Sequence, residues 1–226
     1  MTTPAVPLPL RNALAELACA APDDAAARDA LAWLAAPSGA PTGGGAERLV
    51  AAHLIDPGAT ALLAVYTPWE ETVRAHAARA LRAAATARLD VGDDPVAHAL
   101  AQAAPLWREG LFFEVHEVLE AAWQRERGDR RQGLQGVIQI AVAWHHLAHG
   151  NARGARRLLR EGRSRLAAVP PGAIPGLDVA ALLDATAATE AALDGAAPRA
   201  APDPPPLVLR PRAGSSGPSA RSHQRS

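Results

Sequence analysis

Residues 130–149 read RRQGLQGVIQIAVAWHHLAH, and the spacing of the apolar side chains along them decides the fold class. At roughly 100° per residue, Leu134, Val137, Ile138, Ile140, Ala141, Trp144 and Leu147 cover most of a helix's circumference. A helix that is apolar nearly all round has to be enclosed by other elements, so this segment is predicted to be the central helix of a bundle. Its remaining stripe carries Gln132, Gln135, Gln139 and His146 beside the small residues Gly136 and Ala143, where another helix can approach closely.

Outward from this segment the chain is cut at regular intervals. Gly110, Gly128-Asp129, Gly150-Asn151 and Pro170-Pro171-Gly172 punctuate helical patterns over about 95–109, 111–127, 130–149, 152–169 and 177–193. Joints this short make successive helices near-antiparallel neighbours. The Ala-rich half before residue 93 also reads as helix. Two stretches between Leu8 and Leu34 are divided at Ala21-Pro22-Asp23-Asp24, and a breaker-rich, mobile loop is expected from Ala36 to Gly45. A short helix follows from Ala46 to Leu54, and another starts at Thr67-Pro68-Trp69-Glu70 and runs to about Arg88. That start has the order of a capping box, with Pro68 where its missing N–H costs nothing. Residues 59–66 fit a helix or a buried strand. The break at Val91-Gly92-Asp93-Asp94-Pro95 separates a region 1–92 from a second helical domain, 93–194. From 195 to 226 the composition of Pro, Arg, Gly and Ser reads as a disordered basic tail. The fold class is all-α: a multi-helical bundle with about five antiparallel helices in its C-terminal half and an Ala-rich helical N-terminal half.

Composition narrows the functional classes without naming one. A chain of 226 residues, 49% hydrophobic and 20% charged, has enough material for a sizeable core. Its 23 basic residues are all Arg and are balanced by 23 acidic ones, so there is no overall bias toward nucleic acid or acidic membranes. The Arg clusters at 125–131 and 153–165 are interleaved with Glu126, Asp129 and Glu161 and lack stacking aromatics, and nucleic acid is not the expected partner. The single cysteine, Cys19, excludes an internal disulfide and a zinc site built from cysteines. With no apolar run near the ~18 residues of a membrane span and no secretory signal, a cytoplasmic location is expected. Partners are otherwise undefined, and homo-oligomerisation is left open.

The chemistry concentrates in the pattern at 111–127. His116, Glu120 and Trp123 fall on one face with Phe112, Phe113 and Leu119, whereas Glu114 and Glu117 fall on the opposite side. A His and a Glu one turn apart on an aromatic face need partners, and the Gln132/Gln135/Gln139/His146 stripe of the next helix is the expected source. A His and a carboxylate at i and i+4 can also point at one divalent ion such as Zn or Mn, with His146, Glu109, a Gln carbonyl or water completing the shell. The stretch His116-Glu117-Val118-Leu119-Glu120 has Glu where a zinc peptidase needs its second His, which argues against that activity. Trp123 reads as a packing anchor. Gly150-Asn151 with Gly154 reads as a helix stop and cap, with anion binding beside Arg153, Arg156 and Arg157 as the other reading. His145 points elsewhere than His146, and His53, His76, His98, His149 and His223 show no ligand spacing.

From about Asp94 to Leu193 the chain resembles family 309 of the domains of unknown function, helical proteins of bacteria and archaea. The resemblance rests on Phe113-Glu114-Val115-His116-Glu117-Val118-Leu119-Glu120-Ala121-Ala122-Trp123, which holds the family's His, Glu and Trp spacing, on residues 132–139, and on His146 followed by Gly150–Ala155. It implies an all-helical fold and metal binding at His116 and Glu120, without an established activity. Two functional readings follow. In one, Glu120 is a ligand or general base and His116 a ligand or proton shuttle. In the other, both belong to a structural polar network of a non-catalytic scaffold, with Trp123, Gln132, Gln135, Gln139 and Asn151 around them.

Overall fold

The computed structural model describes residues 6–87, 93–194 and 203–209. Among these residues the chain forms nine α-helices: α1 (Leu8–Ala20), α2 (Ala25–Ala35), α3 (Gly43–Ala51), α4 (Glu70–Thr86), α5 (Pro95–Arg108), α6 (Phe112–Trp123), α7 (Gly128–Ala148), α8 (Ala152–Ala168) and α9 (Val179–Asp194). The all-α class and the five C-terminal helices agree with the sequence pattern to within a few residues at each end.

Local chemistry explains where the helices begin. Asp24 accepts hydrogen bonds from the N–H groups of Ala26 (2.8 Å) and Ala27 (3.3 Å), capping α2. Asp94 does the same for α5 through Val96 (2.9 Å) and Ala97 (3.2 Å), and Pro95 occupies the first turn. Arg130 also reaches Asp94 at 2.7 Å, so this carboxylate ties the start of α5 to the start of α7. The N–H bonds and the guanidinium together hold its carboxyl below the usual range against the opposing effect of burial.

Two expectations in the N-terminal half are corrected. The capping box at residues 67–70 does not form: residues 64–69 make a 3-10 turn, and α4 starts at Glu70 with Trp69 at the N-cap position. Tyr66 turns inward to a buried position and its N–H bonds to Leu63 O at 2.8 Å, which tightens the chain before the α-helix begins. The same turn resolves residues 59–66, which are neither strand nor α-helix. The breaker-rich loop ends at Thr42, because Gly43, Gly44 and Gly45 already belong to α3. There glycine allows close packing on α2: a Cβ on Gly45 would lie 2.9 Å from the Asp29 Cβ.

α7 is central, with Leu134, Val137, Ile138, Ile140, Ala141, Trp144 and Leu147 buried. Trp107 of α5 packs edge-on against Phe112 (5.6 Å between ring centres) and tilted against Trp144 (6.2 Å). The boundary expected at 91–95 falls partly on residues outside those described. On either side of it, buried side chains from α1 to α4 and from α5 to α9 join one continuous apolar cluster. The expected tail from 195 onward also lies mostly outside the described residues. Its described part, 203–209, packs on the body: Leu207 is buried, Leu209 forms an isolated bridge with Leu177, and Pro205 O accepts the Trp107 indole N–H at 2.6 Å. The packing of this short stretch has a simple cause, since Leu207 and Leu209 are apolar and Trp107 Nε1 needs an acceptor inside the protein.

Candidate metal-binding cluster on α6

The inward face of α6 centres on Phe112, Val115, Leu119 and Ala122. His116, Glu120 and Trp123 therefore lie on one border of that face, and Glu114 on the other. His116 and Glu120 are not enclosed as expected, because their side chains keep 29% and 39% of their surface.

What they meet is Glu117. His116 Nδ1 lies 3.0 Å from Glu117 Oε1, and Nε2 lies 3.5 Å from Glu120 Oε2. One ligand atom from each of the three residues falls within 4.8 Å of the others, and among the described residues this is the group of three that comes so close. One imidazole nitrogen and two carboxylates form a donor set acceptable to Zn or Mn, and partial exposure leaves positions for water. The arrangement fits a divalent ion. Beside it a surface cleft of about 710 Å³ runs between α1 and α6, lined by Arg11, Asn12, Glu16, Phe113 and Glu117 among others.

The residues expected to surround this cluster are elsewhere. Gln132 accepts from Arg165 at 2.7 Å, and Gln139 donates to Glu161 at 3.0 Å, so the glutamine stripe, with Gln135 half-buried on it, faces α8. The reason is the close approach of α7 and α8 at Gly136 and Gly162, which brings Glu161 and Arg165 within reach of the amides. His146 accepts from the Asn151 amide at 3.0 Å, while Asn151 Oδ1 accepts the Gly154 N–H at 2.9 Å and caps α8. Glu109 pairs with Arg82. His146 thus helps join α7 to α8 and stands outside the α6 cluster. Trp123 is half-buried, with the Arg131 guanidinium 3.6 Å from the centre of its ring and Arg131 donating to its carbonyl at 2.9 Å.

The enclosed His–Glu pair of this protein is a different one. Glu114 and His76 of α4 meet at 2.7 Å, with side chains only 4% and 13% exposed. Burial opposes ionisation of Glu114. The hydrogen bond and charge of His76, with the charge of Arg79, outweigh it and hold the carboxyl below its ordinary range. Glu114 O also accepts from Cys19 Sγ at 3.8 Å. Desolvation, with the charges of Glu114 and Glu117, pushes that thiol up to about 12, so it stays protonated and unreactive. His145 on α7 is pushed down to about 4 by desolvation and by His149, His146 and Arg11.

Residues 100–158 match the family model described as Domain of unknown function (DUF309). The matched stretch is shorter than the 94–193 resemblance but contains the His116 motif, the glutamine stripe and Asn151. A segment of 49 residues is 41% identical to the uncharacterized protein YpuF of Bacillus subtilis (strain 168), covering 21% of this chain and 28% of that protein. The chain thus spans under a third of that relative's length. No solved structure matches the chain. The segment from residue 100 to 158, which carries the α6 cluster and its neighbours on α5, α7 and α8, is the part of this protein that matches DUF309.

Proposed function

We propose that α6 carries a divalent-cation site in which His116, Glu117 and Glu120 are the protein ligands, Zn or Mn is the ion, and the protein works in the bacterial cytoplasm. The mutual approach of the three ligand atoms to within 4.8 Å carries this reading. Glu117 takes the place that the sequence reading gave to His146. An ion held there supplies a polarised, exposed water or a Lewis-acid position at the edge of the α1/α6 cleft. The residues do the rest: the carboxylates balance the charge of the ion, and Phe113, stacked on His116 at 6.3 Å between ring centres, limits how the imidazole can turn.

A second reading has its own support. Both nitrogens of His116 already face carboxylates, which is also how a structural network on a non-catalytic scaffold would look. Manganese separates the two. Under the metal reading, Mn at a hundred times its Kd stabilises the folded protein by about 2.7 kcal/mol, seen as a raised Tm that disappears in Glu120→Gln and His116→Ala. Equal melting of all three proteins with and without Mn overturns the metal reading and leaves the network.

A further inference from the structure

Contrary to the expectation that His149 has no partner at ligand spacing, it sits one turn beyond His145 at the C-terminal end of α7, and nothing in the α6 cluster involves either residue. Their ring centres are 4.3 Å apart, with the planes inclined at 41°. Two imidazoles that bind one ion in neighbouring positions, each at about 2.0–2.1 Å from nitrogen to metal, place their ring centres roughly 4–5 Å apart. The pair is therefore already spaced as ligands of a common ion. The tautomer of His149 is also set: its Nδ1 lies 2.7 Å from His145 O, and as the carbonyl can only accept, Nδ1 carries the proton. That leaves the lone pair on Nε2, the same tautomer control seen when a metal-bound histidine donates its other N–H to a backbone carbonyl.

We propose that His145 and His149 form a second metal site, distinct from the α6 cluster, selective for a late first-row divalent ion such as nickel or copper. The selectivity follows from what surrounds the pair. The charges that act on His145 include Arg11 and, buried in the α4/α6 contact, Glu114, which is taken up by His76. The pair itself contributes imidazole nitrogen and no carboxylate, a set that binds copper and nickel well and manganese or magnesium poorly. Arg11, held over Phe113 at 4.2 Å, adds positive charge that further penalises an ion bound by electrostatics alone. The end of α7 works in the opposite sense, because the terminal carbonyls present a partial negative charge to a cation there.

The two sites share Phe113 as a neighbour, 6.3 Å from His116 and 6.4 Å from His145, and the α6 cluster would accept nickel and copper as well, so the pair is tested with that cluster disabled. The test is titration of the full chain carrying His116→Ala and Glu120→Gln with nickel chloride by calorimetry, together with the electron paramagnetic resonance spectrum of one equivalent of copper(II). This chain is expected to bind one nickel through the pair and to show coupling of copper to two nitrogens. His149→Ala should weaken nickel at least tenfold and leave one coupled nitrogen; its side chain is exposed, so the fold is kept and circular dichroism verifies this. His145→Asn in the same background provides the second arm. Nickel affinity unaltered by His149→Ala, or no nickel bound by the chain carrying His116→Ala and Glu120→Gln, overturns the proposal. Either result is independent of the manganese experiment on Glu120, so failure at one site does not imply failure at the other.

Discussion

Glu114 and His76 show how a single contact decides what a polar residue does. On the sequence, Glu114 belonged to the outward side of α6 and His76 had no partner at ligand spacing. In the fold they meet 38 positions apart and almost out of contact with water. Removing one partner of such a pair leaves the other buried and uncompensated, so His76→Ala is expected to cost about 3–5 kcal/mol in urea denaturation at pH 7. Replacing both residues with Leu should cost clearly less than the sum of the single changes, giving a coupling of at least about 1 kcal/mol. Additive losses would mean that the pair is incidental. Acid should weaken the fold in two steps of the same sign. The unfolded chain protonates His145 near its ordinary 6.5 whereas the folded protein resists until about 4, so stability falls as the pH drops between these values. Glu114 follows at lower pH, where its depressed carboxyl is finally protonated and the stability present above the ordinary carboxylate range is lost. A Tm profile of His145→Asn should lack the upper step and retain the lower. None of this was visible from spacing, because burial of Glu114 depends on where α4 crosses α6. The neighbouring His116 and Glu120 were legible as a pair because their four-residue interval lies within one helix.

At the scale of elements, the positions of the C-terminal helices were readable and their facing was not. Periodicity near 3.6 and joints such as Gly110 (φ 71°) and Gly150 (φ 73°), which adopt the left-handed backbone that glycine tolerates, mark helix ends locally. Which helix covers a polar stripe depends on partners outside that stripe. The glutamines of α7 were assigned to His116 and Glu120 when the matching groups, Glu161 and Arg165, were on α8. Gly136 held the clue, since it lies beside that stripe and admits the closest neighbour. A Cβ there would lie 2.8 Å from both Gly162 O and Leu166 Cγ, and one on Gly162 would lie 2.7 Å from Gly136 O. The backbone oxygens cannot be displaced as a flexible side chain can. Gly136→Ala is therefore expected to destabilise by about 1–3 kcal/mol despite alanine's better helix propensity, because forced separation of α7 from α8 outweighs the roughly 1 kcal/mol gain. Chemical denaturation measures the balance, and a stabilised variant would show that the two helices have room to spare.

At the scale of the molecule, the described residues behave as one packed body whose core draws on both halves and on a short segment near the C-terminus. Composition made residues 203–209 look expendable, since proline dominates and only Leu207, Val208 and Leu209 are large and apolar. Composition does not register that Trp107, 98 positions before Pro205, has its indole N–H buried and directed at that residue's carbonyl. Asp178 N–H likewise donates to Val208 O at 3.0 Å at the start of α9. A chain ending at residue 202 would lose these acceptors and the burial of Leu207 together. An unpaired buried donor costs about 1–3 kcal/mol and a buried leucine about 1.5–3 kcal/mol, less whatever water recovers by entering the gap. The expected outcome is a lower denaturation midpoint and a red-shifted tryptophan emission as water reaches Trp107. A chain ending at residue 209 keeps all three contacts and is expected to stay closer to the 226-residue chain than the chain ending at 202 in both measurements. If the chain ending at 202 stayed as close, the acceptor for Trp107 would have to come from elsewhere, and the segment would be a passenger on the bundle.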